Sequence, residues 1–265
     1  MRKSSFSFVL AAVLSAGIGF GLSGADADAK LRNLASDQGL TLQGTEVAKC
    51  ERSRTTVVIP AGVTRIAPGA FSSCSKLTSV TIPEGVTEIG KKAFGGCEML
   101  TEVTIPASVT EIGEEAFRNC KRLKSVVIPA GVTEIGKEAF RGCEYLASAN
   151  IPSGVTVISS GMFYKCIRLT KVTIANGPIE IGSEAFYNCE RLAGITIPPS
   201  VKVIGEKAFR YCRRLPAVEL PDGVTRVGKA AFADCTNLGQ ISASTETSIA
   251  PDAFKDSPSA QIRRR

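Results

Sequence analysis

The chain contains no histidine and no tryptophan among its 265 residues. Without histidine it lacks the side chain that most often serves as a general base or a metal ligand near neutral pH. It also has no glycine-rich phosphate-binding loop, and no serine or cysteine nucleophile with an evident base. Carboxylate pairs occur, but they recur along the sequence, so they imply no single catalytic cleft. The sequence therefore argues against an enzyme and calls for no cofactor or metal.

What the chain does contain is a strict internal repeat. A phenylalanine recurs every 23 residues, with a last step of 22, and a cysteine follows it by three residues until Ser257 takes the cysteine position. These residues are Phe71, Phe94, Phe117, Phe140, Phe163, Phe186, Phe209, Phe232 and Phe254, with the cysteines from Cys74 to Cys235. A period of this length is typical of a solenoid, in which each turn is stable only when stacked on its neighbours. We therefore predict one elongated domain.

The turn that begins at Val80 shows how one unit is built. Val80 and Ile82 alternate with polar residues, which predicts a short strand with one buried face. Pro83 ends this strand because proline cannot donate to a sheet ladder. Gly90 predicts a sharp backbone turn, with a positive φ as one way to make it.

The second half of the same unit carries the large apolar residues. Ala93, Phe94, Cys97 and Leu100 follow at the spacing of one face of a helix, which predicts a short helical segment. Successive turns then stack identical residues and place their strands about 4.8 Å apart in a parallel sheet. The predicted fold is mainly β, with a parallel sheet on one face of the solenoid and short strands or helical turns on the other.

The two ends of the chain depart from the repeat. Residues 1–29 predict a cleaved export signal, because a basic start precedes the apolar run Phe6–Leu22 and small-x-small cleavage patterns. An uncleaved N-terminal anchor is the alternative. Residues 30–56 predict an irregular N-terminal cap with a degenerate repeat, in which Val47 holds the phenylalanine position and Cys50 the cysteine position. Regular repeats, about nine, span residues 57–257, and residues 258–265 predict a disordered basic tail.

The repeated unit reads Leu-x-x-Val-x-Ile-Pro, then Val-x-x-Ile-Gly, then Ala-Phe-x-x-Cys. It resembles the BspA-like, or treponemal-type, leucine-rich repeat over residues 57–257. The resemblance implies a leucine-rich-repeat solenoid in an exported or surface protein of bacteria or protozoa. Assigned roles in that family are adhesion to host matrix proteins such as fibronectin and fibrinogen, co-aggregation and contact with host receptors. It supplies no catalytic or fixed binding residues.

Nine cysteines in an exported protein would ordinarily indicate disulfides. Equivalent positions on adjacent turns, however, have parallel Cβ vectors about 4.8 Å apart, wider than the roughly 3.5–4.5 Å of a disulfide. We therefore favour a ladder of buried free thiols over one or more disulfides. A metal site is the least favoured interpretation, because a linear ladder does not converge on one ion.

Arginine and tyrosine recur at exposed positions of the corner that follows each phenylalanine, and both types are enriched in interface hot spots. We call this set the Arg/Tyr edge and treat it as the candidate binding surface. Its members are Arg118, Lys121, Arg122, Arg141, Tyr145, Tyr164, Lys165, Arg168, Tyr187, Arg191, Arg210, Tyr211, Arg213 and Arg214. The alternative is a self-satisfied surface ladder of ion pairs, with little energy in each pair. In that ladder Glu98, Glu144 and Glu190 would each pair with an arginine one turn on, namely Arg122, Arg168 and Arg214.

Two other surfaces carry weaker signals. An acidic column predicts a charge asymmetry, and calcium is the less favoured interpretation because it needs six to eight converging oxygens. Its members are Glu88, Glu111, Glu134 and Glu180. The exposed strand positions are small and rich in threonine, which suits a solvated strand face without any binding role.

The net charge of +7 suits anionic partners but is also an ordinary solubility charge. We therefore expect a non-enzymatic recognition protein at the cell surface, secreted or in the periplasm. Its expected partners are proteins, such as extracellular matrix proteins or host receptors, with anionic glycans as a further class. Nucleic acid is disfavoured by the export signal, and no membrane span is expected after cleavage. The alternative is a periplasmic or envelope scaffold that binds proteins of the same cell.

Overall fold

Every regular turn of the chain lies directly on the turn before it. In the computed structural model, which describes residues 24–265, Val80 pairs with Val103 and Ile89 with Ile112, each partner 23 residues on. The phenylalanine rings form one stacked column from Phe71 to Phe254, with centroid spacings between 4.7 and 5.6 Å. The predicted solenoid is therefore confirmed.

The strands that carry the alternating valine and isoleucine form the first side of the solenoid, which we call the Val face. Numbered in chain order, they are β3 (Thr56–Val58), β5 (Ser79–Thr81), β7 (Glu102–Thr104), β10 (Ser148–Ile151), β12 (Lys171–Ile174), β15 (Ala217–Glu219), β17 (Gln240–Ala243) and β19 (Gln261–Arg264). They pair in parallel within three groups, β3-β5-β7, β10-β12 and β15-β17-β19. Between the first and second groups, the side-chain amide of Asn150 takes the place of a backbone hydrogen-bond partner. It accepts from the N–H of Ile128 and donates to its carbonyl oxygen, both at 2.8 Å.

Two-residue strands form the second side, which we call the Ile face. They are β4 (Arg65–Ile66), β6 (Glu88–Ile89), β8 (Glu111–Ile112), β9 (Glu134–Ile135), β11 (Val157–Ile158), β13 (Glu180–Ile181), β14 (Val203–Ile204), β16 (Arg226–Val227) and β18 (Ser248–Ile249). Their pairing is parallel and in register, as at Glu88–Glu111 and Ile89–Ile112. The expected pair of faces is therefore confirmed, with the second face built from very short strands.

The predicted helical segment around each phenylalanine is wrong. In the described part of the chain helix is confined to residues 24–37, and the segments around the phenylalanines are successive tight turns. The backbone explains this, because two residues with positive φ flank each phenylalanine from Phe71 to Phe232, such as Glu115 at 55° and Asn119 at 57° on either side of Phe117. A residue in this left-handed region interrupts a right-handed helix. The apolar spacing of i, i+1, i+4 and i+7 here reflects turns that bury one side.

Gly90 is required by stacking, since it is not among the described residues with positive φ. A Cβ atom at Gly90 would lie 2.7 Å from both the carbonyl oxygen of Ile66 and the nitrogen of Pro68 on the preceding turn. Gly113 and Gly136 meet the backbone of their preceding turns in the same way. This glycine therefore lets successive turns approach to contact distance.

The N-terminal segment is more regular than the sequence indicates. Helix α1 (Gly24–Asp37) precedes an antiparallel hairpin of β1 (Leu40–Gln43) and β2 (Glu46–Cys50), and β2 then pairs in parallel with β4. Ala35 of α1 is fully buried against the core. The predicted signal falls mainly on residues outside those described, and its expected cleavage patterns at residues 25–29 lie in α1. The signal stays a prediction.

The degenerate repeat in this segment has a different register from the predicted one. Val47 pairs with Ile66, so it holds the isoleucine position of the unit and not the phenylalanine position. The N–H of Cys50 donates to the carbonyl oxygen of Ala70 at 2.8 Å, as the N–H of Phe71 does to Ala93 at 2.7 Å. Cys50 therefore holds the phenylalanine position. The first turn is shorter than the others, and the sequence gives no phenylalanine to mark its register.

The C-terminal segment is ordered, which corrects the expectation of a disordered tail. Residues 261–264 form β19, which pairs in parallel with β17. Arg265 then folds back, donating to the carbonyl oxygen of Leu220 at 2.6 Å and pairing with Glu219 at 3.1 Å. Basic residues thus close the Val face at this end.

The core is a set of columns of identical residues that runs the length of the solenoid. All phenylalanines from Phe71 to Phe232 are fully buried, and the leucines that follow them are equally enclosed. All nine cysteines are buried as free thiols. Seven of them, from Cys97 to Cys235, donate to a phenylalanine carbonyl oxygen of the preceding turn at 3.1–3.3 Å. The predicted place of phenylalanine and cysteine in the core is confirmed.

Candidate functional site

The structure divides the Arg/Tyr edge into two rows, with the buried cysteine between them in every turn. The turn row consists of the residue directly after each of the five phenylalanines from Phe117 to Phe209, joined by Tyr211: Arg118, Arg141, Tyr164, Tyr187, Arg210 and Tyr211. The corner row consists of the second residue after each of the five cysteines from Cys120 to Cys212: Arg122, Tyr145, Arg168, Arg191 and Arg214. Both rows use the same two residue types, so their difference lies in what surrounds them.

Backbone geometry explains why each row is continuous. A residue with positive φ, such as Asn119 or Lys165, follows each member of the turn row except Tyr211, which has positive φ itself, and reverses the chain toward the cysteine. In the corner row the N–H of Arg122 donates to the carbonyl oxygen of Glu98 at 3.2 Å, and the N–H of Arg168 donates to that of Glu144 at 3.2 Å. Each corner residue is thereby held at the same place, one turn above the last.

Carboxylates neutralise the N-terminal part of the turn row. Nη1 of Arg118 lies 2.6 Å from a carboxylate oxygen of Glu115 and 3.4 Å from one of Glu138, which also binds Arg141 at 2.8 Å. Burial opposes ionisation of Glu115, but the hydrogen bond and charge of Arg118, helped by the charge of Lys92, outweigh it and lower its pKa. The same hydrogen bond raises the pKa of Arg118. These arginines are committed to partners within the chain.

Aromatic rings continue the turn row. The guanidinium of Arg141 lies 4.0 Å above the ring of Tyr164, which stacks on Tyr187 at 4.6 Å with an interplanar angle of 3°. Tyr187 meets Tyr211 edge to face at 5.4 Å. Burial raises the pKa of the Tyr187 hydroxyl, and the neighbouring tyrosines add to the shift. This stack leaves little free ring surface between the arginines at either end.

Arg210 ends the turn row in the same committed way. Its Nε donates to Asp234 at 2.8 Å, and its Nη2 donates to the hydroxyl of Tyr211 at 3.1 Å. The hydrogen bond to Asp234 raises the pKa of Arg210. The turn row is therefore a self-satisfied ladder, although its carboxylates are not the ones expected from the sequence.

The corner row has the opposite character. Arg122, Arg191 and Arg214 are exposed, and within residues 24–265 none of them forms an ion pair. The guanidinium of Arg168 lies 4.0 Å above the ring of Tyr145, whose side chain is 45% exposed. Four guanidinium groups and one ring therefore face solvent along one line.

The ion pairs predicted for this row are wrong. Glu98 meets Arg122 only through the backbone, and its carboxylate binds Nζ of Lys121 at 2.8 Å. Among the described residues, the carboxylates of Glu144 and Glu190 likewise form no ion pair with Arg168 or Arg214. The predicted pairing fails because the two positions meet at the backbone while their side chains diverge. Among the other members of the Arg/Tyr edge, Lys121 forms this ion pair with Glu98. The charged groups of Lys165 and Arg213 each lie 5.6 Å from the centroid of a tyrosine ring.

The acidic column lies on the Ile face. Glu88, Glu111 and Glu134 are direct neighbours in the parallel ladder, and burial together with the two flanking carboxylates raises the pKa of Glu111. Arg65 closes the column at 2.6 Å from Glu88. Glu180 is separated from the others because Val157 occupies the intervening turn. In the part of the chain that the structure describes, no group of three or more potential ligands is arranged to hold a metal ion.

Sequence reasoning missed the carboxylates that matter most for the turn row. Glu115 and Glu138 each lie three residues before the arginine they bind. An acid three residues before a base is a recognisable pairing signal when the chain curls back on itself, as it does in these turns. Asp234 binds Arg210 from the next turn, and only the 23-residue register reveals that pair.

The chain matches the family described as BspA type leucine-rich repeat region, with six copies of the repeat over residues 48–170 and 156–263. The solenoid, its unit length and this match define a leucine-rich repeat protein. The chain belongs to the BspA-type leucine-rich repeat family.

A solved structure of a bacterial protein shares this fold. A leucine-rich cell surface protein of Faecalibacterium prausnitzii is 31% identical, with a TM-score of 0.64 over 85% of this chain and 73% of that one. The leucine-rich repeat protein TpLRR of T. pallidum is 29% identical, with a TM-score of 0.45 over 56% of this chain and 82% of its own. Among curated proteins, none matches the chain. Within residues 24–265, no helix has the length and apolarity needed to cross a membrane.

Proposed function

We propose that this protein is a non-enzymatic recognition protein that binds other proteins through the corner row. Leucine-rich repeat proteins generally act by binding proteins, and a similar chain is described as a cell surface protein. The observation that carries the proposal is a line of exposed guanidinium groups that form no ion pair within residues 24–265, namely Arg122, Arg191 and Arg214, beside the stacked pair of Tyr145 and Arg168. The partner class is a protein surface that presents carboxylates.

The physical reason is the cost of desolvation. A guanidinium already bonded to a carboxylate must lose that partner before it binds another, whereas the corner arginines have no carboxylate partner in the part of the chain that the structure describes. Arginine and tyrosine are the side chains most often found as interface anchors. The contact between Arg168 and Tyr145 also limits the freedom of both side chains, which lowers the entropy cost of binding.

The length of the row fits a specific contact. Arg122 and Arg214 are four turns apart, which is about 19 Å at roughly 4.8 Å per turn. Such a line can lie within one standard interface of about 800 Å² per partner. A linear anionic glycan would meet the same line, so the binding assay includes one.

The natural setting we propose is outside the cytoplasm, as an adhesin or a host-interaction factor that binds matrix proteins or host receptors. The predicted signal at residues 1–29 and the cell surface protein of similar structure support this setting. Protease treatment of intact cells tests it. Cleavage is expected before any membrane is breached, whereas protection until the outer membrane opens would favour an envelope scaffold for proteins of the same cell.

The corner row is tested with a charge-reversed triple variant, Arg122→Glu, Arg168→Glu and Arg214→Glu. Binding to immobilised fibronectin, fibrinogen and heparin is measured against the wild-type chain by surface plasmon resonance. Loss of one arginine hot spot costs about 2 kcal/mol, or about thirtyfold in Kd, so the triple variant should lose binding by at least that factor. The circular dichroism spectrum and the Tm should stay close to those of the wild type.

A matched control carries the same change of charge on the Ile side of the solenoid. Lys202, Arg226 and Lys229 are exposed there, and their replacement by glutamate should leave binding within about twofold if the effect is local. Equal loss in both variants would show that only net charge matters and would reject the corner row. A salt titration separates partner classes, because binding to a linear polyanion weakens much more steeply with salt than a contact anchored by Tyr and Arg.

A further inference from the structure

The first turn of the solenoid carries its cysteine in an unusual place. Val47 and Ile66 are partners 19 residues apart, whereas Ile66 and Ile89 are 23 apart. The shorter turn shifts Cys50 out of the cysteine column and into the position that phenylalanine occupies in every regular turn, as the bond from its N–H to Ala70 shows. A thiol thus stands at the end of the phenylalanine column.

The register then brings Cys50 against Cys74. In the regular turns a cysteine reaches back to the phenylalanine of the preceding turn, so Sγ of Cys97 donates to the carbonyl oxygen of Phe71 at 3.2 Å. Cys74 stands one turn earlier in the same column, and the residue behind it is Cys50. The register thus makes Cys50 and Cys74 neighbours on adjacent turns, and each thiol is the largest influence on the pKa of the other.

The surroundings of this pair differ from those of the other thiols. The hydrogen bond from Cys50 and the charge of Arg52 lower the pKa of Cys74 despite burial. Burial instead raises the pKa of Cys97 and of Cys235 to about 12 and that of Cys120 well above its usual range. The thiolate is the nucleophile in disulfide chemistry, so Cys74 is the ladder thiol best prepared to react.

The position of this pair also favours access by an external reagent. Cys50 and Cys74 are buried in the folded chain, but Arg52 beside Cys50 and Ser73 beside Cys74 are exposed. They lie in the first turns, where local opening costs less than in the middle of a stacked array. The other seven thiols are enclosed by regular turns and donate to a phenylalanine carbonyl oxygen of the preceding turn, whereas Cys50 donates to the carbonyl oxygen of its own neighbour Glu51 at 3.5 Å.

We propose that Cys50 and Cys74 are a disulfide-forming pair, and that the remaining cysteines stay as thiols. The reaction is thiol–disulfide exchange with an external disulfide, of a protein or a small molecule. The Cys74 thiolate attacks one sulfur of that disulfide, forms a mixed disulfide and releases one thiolate. Cys50 loses its proton to water, attacks the Cys74 sulfur and releases the second thiolate. Two protein thiols are oxidised and one external disulfide is reduced to two thiols.

The bond would fasten the N-terminal segment to the first regular turn. Cys50 ends β2, which is joined to β1 and α1, whereas Cys74 lies in the turn after Phe71. Closing this loop restricts the unfolded chain and the fraying of the end turn. Disulfides between equivalent cysteines of regular turns are disfavoured by their parallel Cβ vectors, so the bond is specific to the place where the register changes.

The experiment uses the full chain, purified in reductant, freed of it and exposed while folded to oxidised glutathione. Thiols are counted after denaturation, and a peptide map is recorded without reduction. We expect the nine thiols to fall to seven, with one peptide pair joined through Cys50 and Cys74. The Tm should rise on oxidation and return on reduction.

Matched variants decide the assignment. Cys50→Ser and Cys74→Ser should each form no bond within the chain and show no rise in Tm on oxidation. Cys143→Ser, a control in the regular ladder, should still form the 50–74 bond and fall from eight thiols to six. Nine thiols after oxidation of the wild type, or a bond between any other pair, would overturn the proposal. Neither result bears on the corner row.

Discussion

The turn row and the corner row use the same residue types on the same turns, only four positions apart, yet they are in opposite states. Arg118 and Arg141 are half-buried and bonded to carboxylates of the chain, whereas Arg122 and Arg191 are exposed and form no ion pair in residues 24–265. Residue type therefore does not decide which arginines can bind a partner. The carboxylates within reach decide it: Glu115 and Glu138 lie three residues before Arg118 and Arg141, and Asp234 of the next turn binds Arg210.

The two rows therefore have different roles on one surface. The turn row stabilises neighbouring turns through ion pairs and ring contacts, and the corner row leaves its charges available. If the two rows differ only through their partners, substitutions in the turn row should change stability and substitutions in the corner row should change binding. Each of the following measurements can break that division.

The largest loss of stability is expected from a substitution in the phenylalanine core beneath both rows. Replacing Phe140 by alanine should lower the free energy of unfolding by about 3–5 kcal/mol, because a fully buried ring is lost from the middle of the stack. Denaturant unfolding measures this loss. Phe254, partly exposed at the end of the column, serves as the control and should cost less. Equal costs at the two positions would show that the stacked core is not the main support.

The next effect tests the rows directly. Glu115→Ala should cost about 1–3 kcal/mol, because it leaves the half-buried Arg118 without its nearest carboxylate. Arg122→Ala, four residues further along in the corner row, should change the free energy of unfolding by no more than about 0.5 kcal/mol. Chemical denaturation of both variants makes the measurement. Similar losses would mean that the rows are not energetically distinct.

Ring stacking within the turn row should give a smaller coupling. A double-mutant cycle that replaces Tyr164 and Tyr187 by leucine should report about 0.5–1.5 kcal/mol for their stacked contact. The cycle for Arg168 and Tyr145 in the corner row should report about 0.5–1 kcal/mol, since that contact is more exposed. A coupling near zero between the two tyrosines would show that only the ion pairs of the turn row, and not its stacked rings, stabilise the fold.

The smallest effect is a pH dependence with opposite signs on two sides of the solenoid. The pKa of Glu115 is lowered on folding, so its contribution to stability is complete above its ordinary pKa of 4.5 and is lost as the pH falls through the folded value. The pKa of Glu111 is raised by burial and by its acidic neighbours, so its ionised form destabilises the fold at neutral pH.

Two glutamine variants measure these signs. Glu115→Gln should destabilise the protein at pH 7, and the gap from the wild type should narrow as the pH falls below 4.5. Glu111→Gln should stabilise it at pH 7, and that gain should also shrink in acid. Urea unfolding across this pH range makes the comparison. A Glu115→Gln gap that does not narrow in acid would show that the lost hydrogen bonds, and not the charge, account for it.

The repeat explains why most of the fold was predictable. A phenylalanine every 23 residues defines the register of Phe71 to Phe254, and the alternation of Val80 and Ile82 defines the strands. The tight turns that replace the helix were hard to predict, because glycine marks the positive-φ position in only some units, as at Gly69 and Gly161, whereas Glu115 adopts positive φ there without one. The position of Cys50 was equally hidden, because the first turn is shorter and lacks the phenylalanine that marks the others.

The candidate site was predictable as a set of residues but not as two rows. Sequence placed Glu98 beside Arg122, and their backbones do meet, but side-chain direction sends the carboxylate to Lys121. The capture of Arg118 by Glu115 required the chain to reverse at residues with positive φ. Contacts that depend on such reversals become visible only in three dimensions.

The parallel stacking of turns also has a mechanical consequence. The hydrogen bonds that join Val80 to Val103 and Ile89 to Ile112 run along the axis of the solenoid, so a pull on its two ends loads successive turns one after another. Each turn that peels away releases 23 residues, about 75 Å of extended chain, where the folded turn occupied about 4.8 Å. Tension would therefore be met by stepwise lengthening, one turn at a time, while the turns still stacked keep their surface rows intact.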